Sequence, residues 1–188
     1  MDKKQRIIIT MLELVVKQGV HATPMSQVAR EANVAVGTIY HYFENKNQII
    51  EEIYLMIVKD YGIVLMANLP ENGSFKDKHD AMWLNLFNYF VGNPLAFQFI
   101  EYVAVPPIIS KEIVKKGIPY ISNIRDFFLQ GILEKELRNV PLRLILQMIF
   151  GDVVSAMRLK ITEDLEMTKQ EIDFALEMSW DSVKYKTN

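Results

Sequence analysis

The sequence predicts an all-α fold with two parts: a three-helix N-terminal head with helix-turn-helix geometry, residues 1–46, and a larger helical body, residues 47–188. Two observations support this prediction. Apolar residues recur at helical spacing along nearly the whole chain, and no alternating strand pattern appears. Residues that start and stop helices stand between these apolar stretches at regular intervals. From these signals we expect about nine helices.

The composition narrows the class of protein. Half of the 188 residues are hydrophobic, which is enough for a large core. No uncharged apolar run reaches the roughly 18 residues of a membrane span, and the apolar run behind the basic start is too short for a signal peptide. The absence of cysteine excludes disulfides, thiolate metal sites and cysteine nucleophiles. We therefore expect a cytoplasmic protein that makes no membrane contact.

The charge is unevenly distributed. The net charge is −2, yet residues 1–50 carry a balance of +2 and the remaining residues a balance of −4. A mildly basic head on an acidic body is typical of a protein that touches nucleic acid at one end only. The asymmetry is small and supports this interpretation only together with other features.

The first two helices are defined by their ends. Gly19 should close the first helix. Thr23 should be the N-cap of the second helix, with Pro24 at its first position, and Asn33 should end it. The apolar face of the first helix has the expected i, i+3, i+4, i+7 spacing: Ile8, Met11, Leu12 and Val15.

The next helices follow from similar signals. A short third helix should run from Val36 to Tyr42, and Asn45 and Gln48 form a cap-like pair for a long fourth helix. A loop at residues 70–74 leads to a fifth helix that Ser74 caps. Pro94 should start the sixth helix, which residues 106 and 107, both proline, should stop. The fifth helix has an apolar face formed by Met82, Trp83, Leu86, Phe87 and Phe90.

Three further helices complete the predicted body. Residues 118–133 carry one apolar stripe, whereas residues 141–161 are apolar almost all round and should be buried on two sides. Thr168 and Glu171 form a capping box for the last helix, which should end near Tyr185.

The most informative stretch is residues 19–46, which read GVHATPMSQVAREANVAVGTIYHYFENK. Two short helices separated by residues 32–35 have helix-turn-helix spacing. The second of them should expose few charges but several hydroxyl and ring groups, which suits entry into a DNA major groove. The shared core of the pair should consist of Val28, Ala29, Ala32, Val34, Ile39 and Phe43.

This stretch resembles the tetracycline-repressor (TetR) family of transcription regulators. The resemblance lies in residues 36–43 (VGTIYHYF) with Lys46, and in residues 23–25 and 28–32 of the preceding helix. It covers roughly the first 50 residues. One departure is Ala35, which stands where the family usually has Ser or a similar capping residue, a change that typically costs about 1 kcal/mol of local stability.

The resemblance implies a homodimer on palindromic double-stranded operator DNA, most simply a repressor. It also implies roles for individual residues. Thr23 would bond a phosphate, and Lys46 would form an anion site at the start of the fourth helix. Base edges would be contacted by Val36, Gly37, Thr38 and His41, and phosphates also by Tyr40 and Tyr42. His41 is equally compatible with an ordinary exposed histidine.

The body is expected to bind an unidentified small apolar or aromatic effector and to form the dimer. Inward stripes on three helices that the family packs around its pocket suggest these wall residues: Met82, Phe87, Phe90, Phe99, Tyr102, Ile121, Ile124 and Phe128. The excess apolar surface of the last two helices suggests these interface residues: Ile145, Ile149, Gly151, Asp152, Leu176, Trp180 and Val183.

Two other classes of protein remain as alternatives: a helix-turn-helix module that binds protein, and a helical-bundle enzyme without DNA binding. The enzyme is disfavoured because the sequence has no glycine-rich phosphate loop and no carboxylate–histidine metal pattern. His21, His41 and His79 lack ligand spacing, so neither a metal site nor another cofactor is predicted.

Overall fold

The computed structural model describes residues 1–104, 108–163 and 167–186. Within these ranges the chain is helical and forms no strand, apart from a single antiparallel bridge between Leu137 and Lys184. The helices are α1 Lys3–Gln18, α2 Met25–Glu31, α3 Val36–Tyr42, α4 Lys46–Leu65, α5 Phe75–Gly92, α6 Pro94–Ala104, α7 Lys111–Gly117, α8 Ser122–Leu133, α9 Leu142–Glu163 and α10 Lys169–Val183.

The all-α prediction is confirmed, with local differences. The structure adds the short α7, which Ser110 caps by accepting a hydrogen bond from the Ile113 N–H. A 3-10 turn occupies Ile118–Ile121, so α8 begins at Ser122, later than predicted. The predicted stop of α6 at residues 106 and 107 lies outside the described residues.

The chain forms two compact units. The first comprises Met1–Lys59 and Asn93–Ile118, and the second comprises Asp60–Gly92 and Pro119–Asn188. The first unit is thus larger than the predicted head of residues 1–46, because α6 packs along α1. Sequence periodicity does not reveal such packing between segments far apart in the chain.

The first unit has a continuous apolar core. All but one of the six predicted head-core residues are buried, and Val34 is half-buried. The buried face of α1 meets α2, α3 and α6. Further core residues come from α1, α4 and α6: Ile7, Met11, Val15, Ile49, Ile53, Ile57 and Phe99.

In the second unit, α5, α8 and α10 pack on α9, and α10 also packs on α5. Aromatic rings fill part of the space between these helices. Phe75 stacks on Phe127 with ring centroids 4.4 Å apart and lies 6.2 Å from Trp180. Gly131 is needed here because a Cβ at this position would collide with the Phe75 ring.

A buried polar network joins α5, α9 and α10. His79 Nδ1 lies 2.9 Å from Asp80 Oδ1, and His79 Nε2 lies 3.4 Å from Ser179 Oγ. Burial raises the pKa of the Asp152 carboxyl, although a hydrogen bond with Ser179 and the nearby His79 act in the opposite direction. Sequence analysis did not foresee this Ser–His–Asp set. His79 and Ser179 are completely buried and no substrate can reach them, so the network is part of the core of the second unit.

Candidate DNA-binding site

The turn between α2 and α3 sets the angle between the two helices. Asn33 adopts the left-handed region, with φ 52°. The Val34 N–H donates to the Ala29 carbonyl at 2.9 Å, and the Asn33 N–H donates to the Arg30 carbonyl at 3.2 Å. This is a Schellman motif, which ends a helix sharply. Asn33 therefore ends α2 as predicted, although the last helical residue is Glu31.

The start of α3 carries no side-chain cap. Ala35 is the N-cap residue and is extended, with ψ 147°, but its methyl group accepts no hydrogen bond. Instead, the Thr38 N–H donates to the Ala35 carbonyl at 2.9 Å. The predicted absence of the usual cap is therefore confirmed, and packing rather than capping must hold α3 in place.

Packing holds α3 on one side only. Ile39 and the adjoining Phe43 are completely buried. The opposite side faces solvent and carries the predicted contact residues: Val36, Gly37, Tyr40, His41 and Tyr42 are exposed and Thr38 is half-buried. Tyr40 is 54% exposed, which is unusual for a large aromatic side chain without a partner. A Cβ at Gly37 would meet no atom within 4 Å, so a ligand could approach the backbone there.

Thr23 does not fit its predicted role. Its side chain is completely buried, and its hydroxyl donates to the Gly19 carbonyl at 2.8 Å. The N-cap of α2 is Pro24, which has no side-chain hydrogen bond, and the helix starts at Met25. The predicted cap and the predicted phosphate contact are both wrong, because the Thr23 hydroxyl is buried and bonds to the carbonyl at the end of α1 instead.

Lys46 lies where predicted, at the first residue of α4, and the predicted cap pair is confirmed. Asn45 Oδ1 accepts from the Gln48 N–H at 3.0 Å, and Gln48 Oε1 accepts from the Glu44 N–H at 2.7 Å. The Lys46 side chain is half-buried, and its Nζ donates to the Val20 carbonyl at 2.8 Å. An ammonium group has three donors, so two remain for an anion.

The contact that Tyr102 makes in this region was not predicted from the sequence. Tyr102 was predicted to line a pocket, but its hydroxyl accepts the Val20 N–H at 3.1 Å and lies beside Gly19. No sequence signal could have found this contact, because the two residues are 82 positions apart.

The other predicted pocket residues divide between the two units. Phe99 belongs to the first unit and is completely buried. In the second unit, Ile121 is half-buried and the following residues are buried: Met82, Phe87, Phe90, Ile124 and Phe128. Their burial is compatible with a plain core as well as with a pocket wall.

Four of the seven predicted interface residues on α9 and α10 require a correction. Ile145, Ile149, Leu176 and Val183 are buried within their own chain, and Gly151, Asp152 and Trp180 are half-buried. The spacing of apolar residues indicates two apolar faces on α9 but does not indicate which of them packs on the core. The outward apolar residues are Leu144, Met148 and Leu159 on α9 and Phe174 and Met178 on α10.

Among the described residues no group of three His, Cys, Asp or Glu side chains could hold a metal ion. In the same part of the chain no helix is long and apolar enough to cross a bilayer.

Two family models match the chain. "Bacterial regulatory proteins, tetR family" matches residues 7–53, and "Tetracyclin repressor-like, C-terminal domain" matches residues 74–184. The chain belongs to the TetR family. It is accordingly a helix-turn-helix transcription regulator, and the proteins it resembles are regulators rather than enzymes.

Curated relatives within the TetR family are distant in sequence. An uncharacterized HTH-type transcriptional regulator of Haemophilus influenzae is 28% identical over 106 residues, which cover 56% of this chain and only 57% of that relative. The fatty acid metabolism regulator protein of Bacillus subtilis is 27% identical over 154 residues, which cover 80% of this chain and 79% of the relative.

Solved TetR-type structures match over the whole length. A Shewanella protein described as a TetR-family transcription regulator has TM-score 0.92 and 25% identity, covering 99% of this chain and 100% of the other. FadR of Bacillus subtilis in complex with stearoyl-CoA has a TM-score of 0.74 and 21% identity, and the match covers 93% of this chain and 96% of the other. The second similarity shows the shared fold alone.

Proposed function

We propose that this TetR-family regulator represses transcription by binding a palindromic operator as a homodimer, and that a small apolar effector releases it. The observation that carries the proposal is the arrangement of α3. Ile39 and Phe43 anchor one side of this helix in the core, and the other side presents hydroxyl and imidazole groups to solvent. An α-helix held in this way can enter a major groove without losing its own packing.

The exposed groups of α3 suit different parts of DNA. Thr38 and His41 carry hydrogen-bonding groups for base edges, whereas Tyr40 and Tyr42 reach outward and would donate to phosphates. Val36 could contact a thymine methyl group, and Gly37 leaves the backbone open to close approach. Lys46 would use its two remaining donors on a phosphate.

The DNA proposal is tested with a duplex recovered from a random library by selection with the wild-type protein, and with a random-sequence duplex. Lys46→Ala should weaken binding to both duplexes and reduce the magnitude of the slope of log K against log salt by about 1.8, which is about 0.9 for each of the two subunits. Thr38→Ala and His41→Ala should change the preference between the two duplexes instead. Lys59→Ala is the matched control, since Lys59 is an exposed lysine on the same helix. An unchanged slope in Lys46→Ala would remove this residue from the phosphate contacts.

The proposed dimer uses the outward faces of α9 and α10. These faces expose Leu144 and Met148 on one helix and Phe174 and Met178 on the other. Soluble monomers rarely leave such an apolar surface uncovered. Gly151, near the middle of α9, has no atom within 4 Å of a Cβ position, so a second helix could approach closely there. A two-fold pair would also supply the two recognition helices that a palindrome requires.

We propose a long acyl chain as the effector class. A relative is named a fatty acid metabolism regulator, and FadR of Bacillus subtilis was crystallised with stearoyl-CoA. The buried aromatic and aliphatic side chains of α5 and α8 offer surroundings of the required apolar character.

The effector class is tested by fluorescence anisotropy of the labelled, selected duplex. Stearoyl-CoA should release the protein from the duplex, and coenzyme A alone should not. Release by stearate as well would indicate that the acyl chain is recognised, whereas release by stearoyl-CoA only would indicate that the thioester conjugate is recognised. If none of the three changes DNA binding or raises the melting temperature, the acyl proposal is wrong, while the DNA proposal stands or falls on its own test.

A further inference from the structure

One residue of the loop between α1 and α2 is held by two side chains from distant helices. The Val20 N–H donates to the Tyr102 hydroxyl of α6 at 3.1 Å. The Val20 carbonyl accepts from the Lys46 ammonium of α4 at 2.8 Å. Val20 itself is buried, so water cannot readily replace either partner.

We propose that Tyr102 is a positioning residue for DNA binding: it fixes Val20, and Val20 in turn fixes the ammonium group of Lys46. This inference rests on the proposed phosphate contact of Lys46. Tyr102 would not touch DNA. Its effect would come entirely through the loop that the two side chains share.

The physical reason lies in the flexibility of lysine. A free lysine side chain samples many rotamers, and ordering it at a phosphate has an entropic cost. One hydrogen bond to a fixed carbonyl orders the Lys46 side chain in advance and leaves two donors directed elsewhere. The benefit depends on the position of that carbonyl. Without the Tyr102 hydroxyl, the Val20 N–H has no partner and the loop loses one of its anchors.

The backbone conformation of Gly19 and the space beside it support this assignment independently. Gly19 has φ 84°, a conformation that L side chains rarely adopt. A Cβ on Gly19 would lie 3.2 Å from the Tyr102 hydroxyl oxygen, so the lack of a side chain also makes room for the phenol. The end of α1 is therefore shaped to admit Tyr102. The Thr23 hydroxyl, which donates to the Gly19 carbonyl at 2.8 Å, secures the other end of the loop.

The test uses the full chain with two changes, Tyr102→Phe and Lys46→Ala, alone and combined. Tyr54→Phe is the matched control, because Tyr54 lies in the same unit and its hydroxyl makes no hydrogen bond within the described part of the chain. Binding to the selected and the random-sequence duplex is measured over a range of salt concentrations. Thermal unfolding of each variant verifies that measurements are made well below its melting temperature.

Tyr102→Phe should lower the affinity for both duplexes by about two- to tenfold for each of the two subunits in the dimer, the range for one hydrogen bond. It should also bring the salt dependence of DNA binding closer to that of Lys46→Ala. The double variant should bind no worse than Lys46→Ala alone, and Tyr54→Phe should bind like the wild type. A merely structural loss would reduce the active fraction without changing the slope.

Two results would overturn the inference. One is an unchanged slope in Tyr102→Phe together with a reduced slope in Lys46→Ala. The other is a double variant in which the two losses multiply, because independent contributions are additive in free energy. If Lys46→Ala itself leaves the slope unchanged, the phosphate contact proposed for Lys46 fails, and the positioning role fails with it.

Discussion

Met178→Glu should break the proposed dimer while leaving the fold intact. Met178 is 73% exposed on the outward face of α10, and Phe174, one turn earlier, is 53% exposed. Neither side chain contributes much to the core of its own chain. Burying a methionine or phenylalanine side chain completely contributes about 1.5–3 kcal/mol. Most of this burial free energy would therefore be gained only when a partner subunit covers the two side chains.

The loss of dimerisation free energy in Met178→Glu can be worked out from the exposed fraction of the side chain. Covering the exposed part of Met178 should contribute roughly 1–2 kcal/mol per copy. Two-fold symmetry doubles it to roughly 2–4 kcal/mol per dimer, and a buried carboxylate adds a desolvation cost. The dimer dissociation constant should therefore rise by about 30- to 1000-fold.

Sedimentation equilibrium from nanomolar to high micromolar protein measures this change. Ile63→Glu is the matched control, since Ile63 is 64% exposed but lies on α4. Leu176→Glu gives the contrasting result, because Leu176 is buried and a charge there should unfold the chain. Wild-type dimerisation in both Met178→Glu and Phe174→Glu would refute the assignment of this face.

Three further changes test the core, the polar network and a cap. Ile39→Ala removes the buried anchor of α3 and should lower the unfolding free energy by about 2–5 kcal/mol in urea titration; a smaller loss would mean that Phe43 alone holds the helix. Burial raises the pKa of Asp152, so the folded state holds this proton more tightly than the unfolded chain, and stability falls as pH rises from the ordinary carboxyl range through the raised pKa. Asp152→Asn should remove that fall and raise the unfolding free energy above this window; parallel pH–stability curves for both proteins would contradict this. Thr168→Ala should cost about 1 kcal/mol and speed amide exchange in the first turn of α10, whereas Thr168→Ser should not.

Most features within a few residues of each other were predicted accurately. The third helix was expected at Val36–Tyr42 and lies there. The capping box of Thr168 and Glu171 is present, with the Thr168 N–H donating to Glu171 Oε2 at 2.7 Å. Such features depend on side chains that reach only their own turn of helix, so their chemistry can be worked out from spacing alone.

The errors have a different origin. Thr23 has the sequence signature of an N-cap, yet its side chain is buried and its hydroxyl donates instead to the Gly19 carbonyl, four residues earlier. Ile149 and Met148 are neighbours on the apolar helix α9, but one is buried and the other exposed. Both faces of α9 satisfy the same periodic rule, and only the packing of α5, α8 and α10 decides between them.

The sequence by itself determined the family, the helical class, and the extent and exposed side of α3, because each depends on short-range spacing and on a motif within residues 19–46. Only the tertiary structure decided which face of α9 and α10 is free, and that Tyr102 and Lys46 meet at Val20. These outcomes join segments that lie tens of residues apart. Their free energies depend on which surfaces exclude water together, and that is a property of the packed chain rather than of any local pattern.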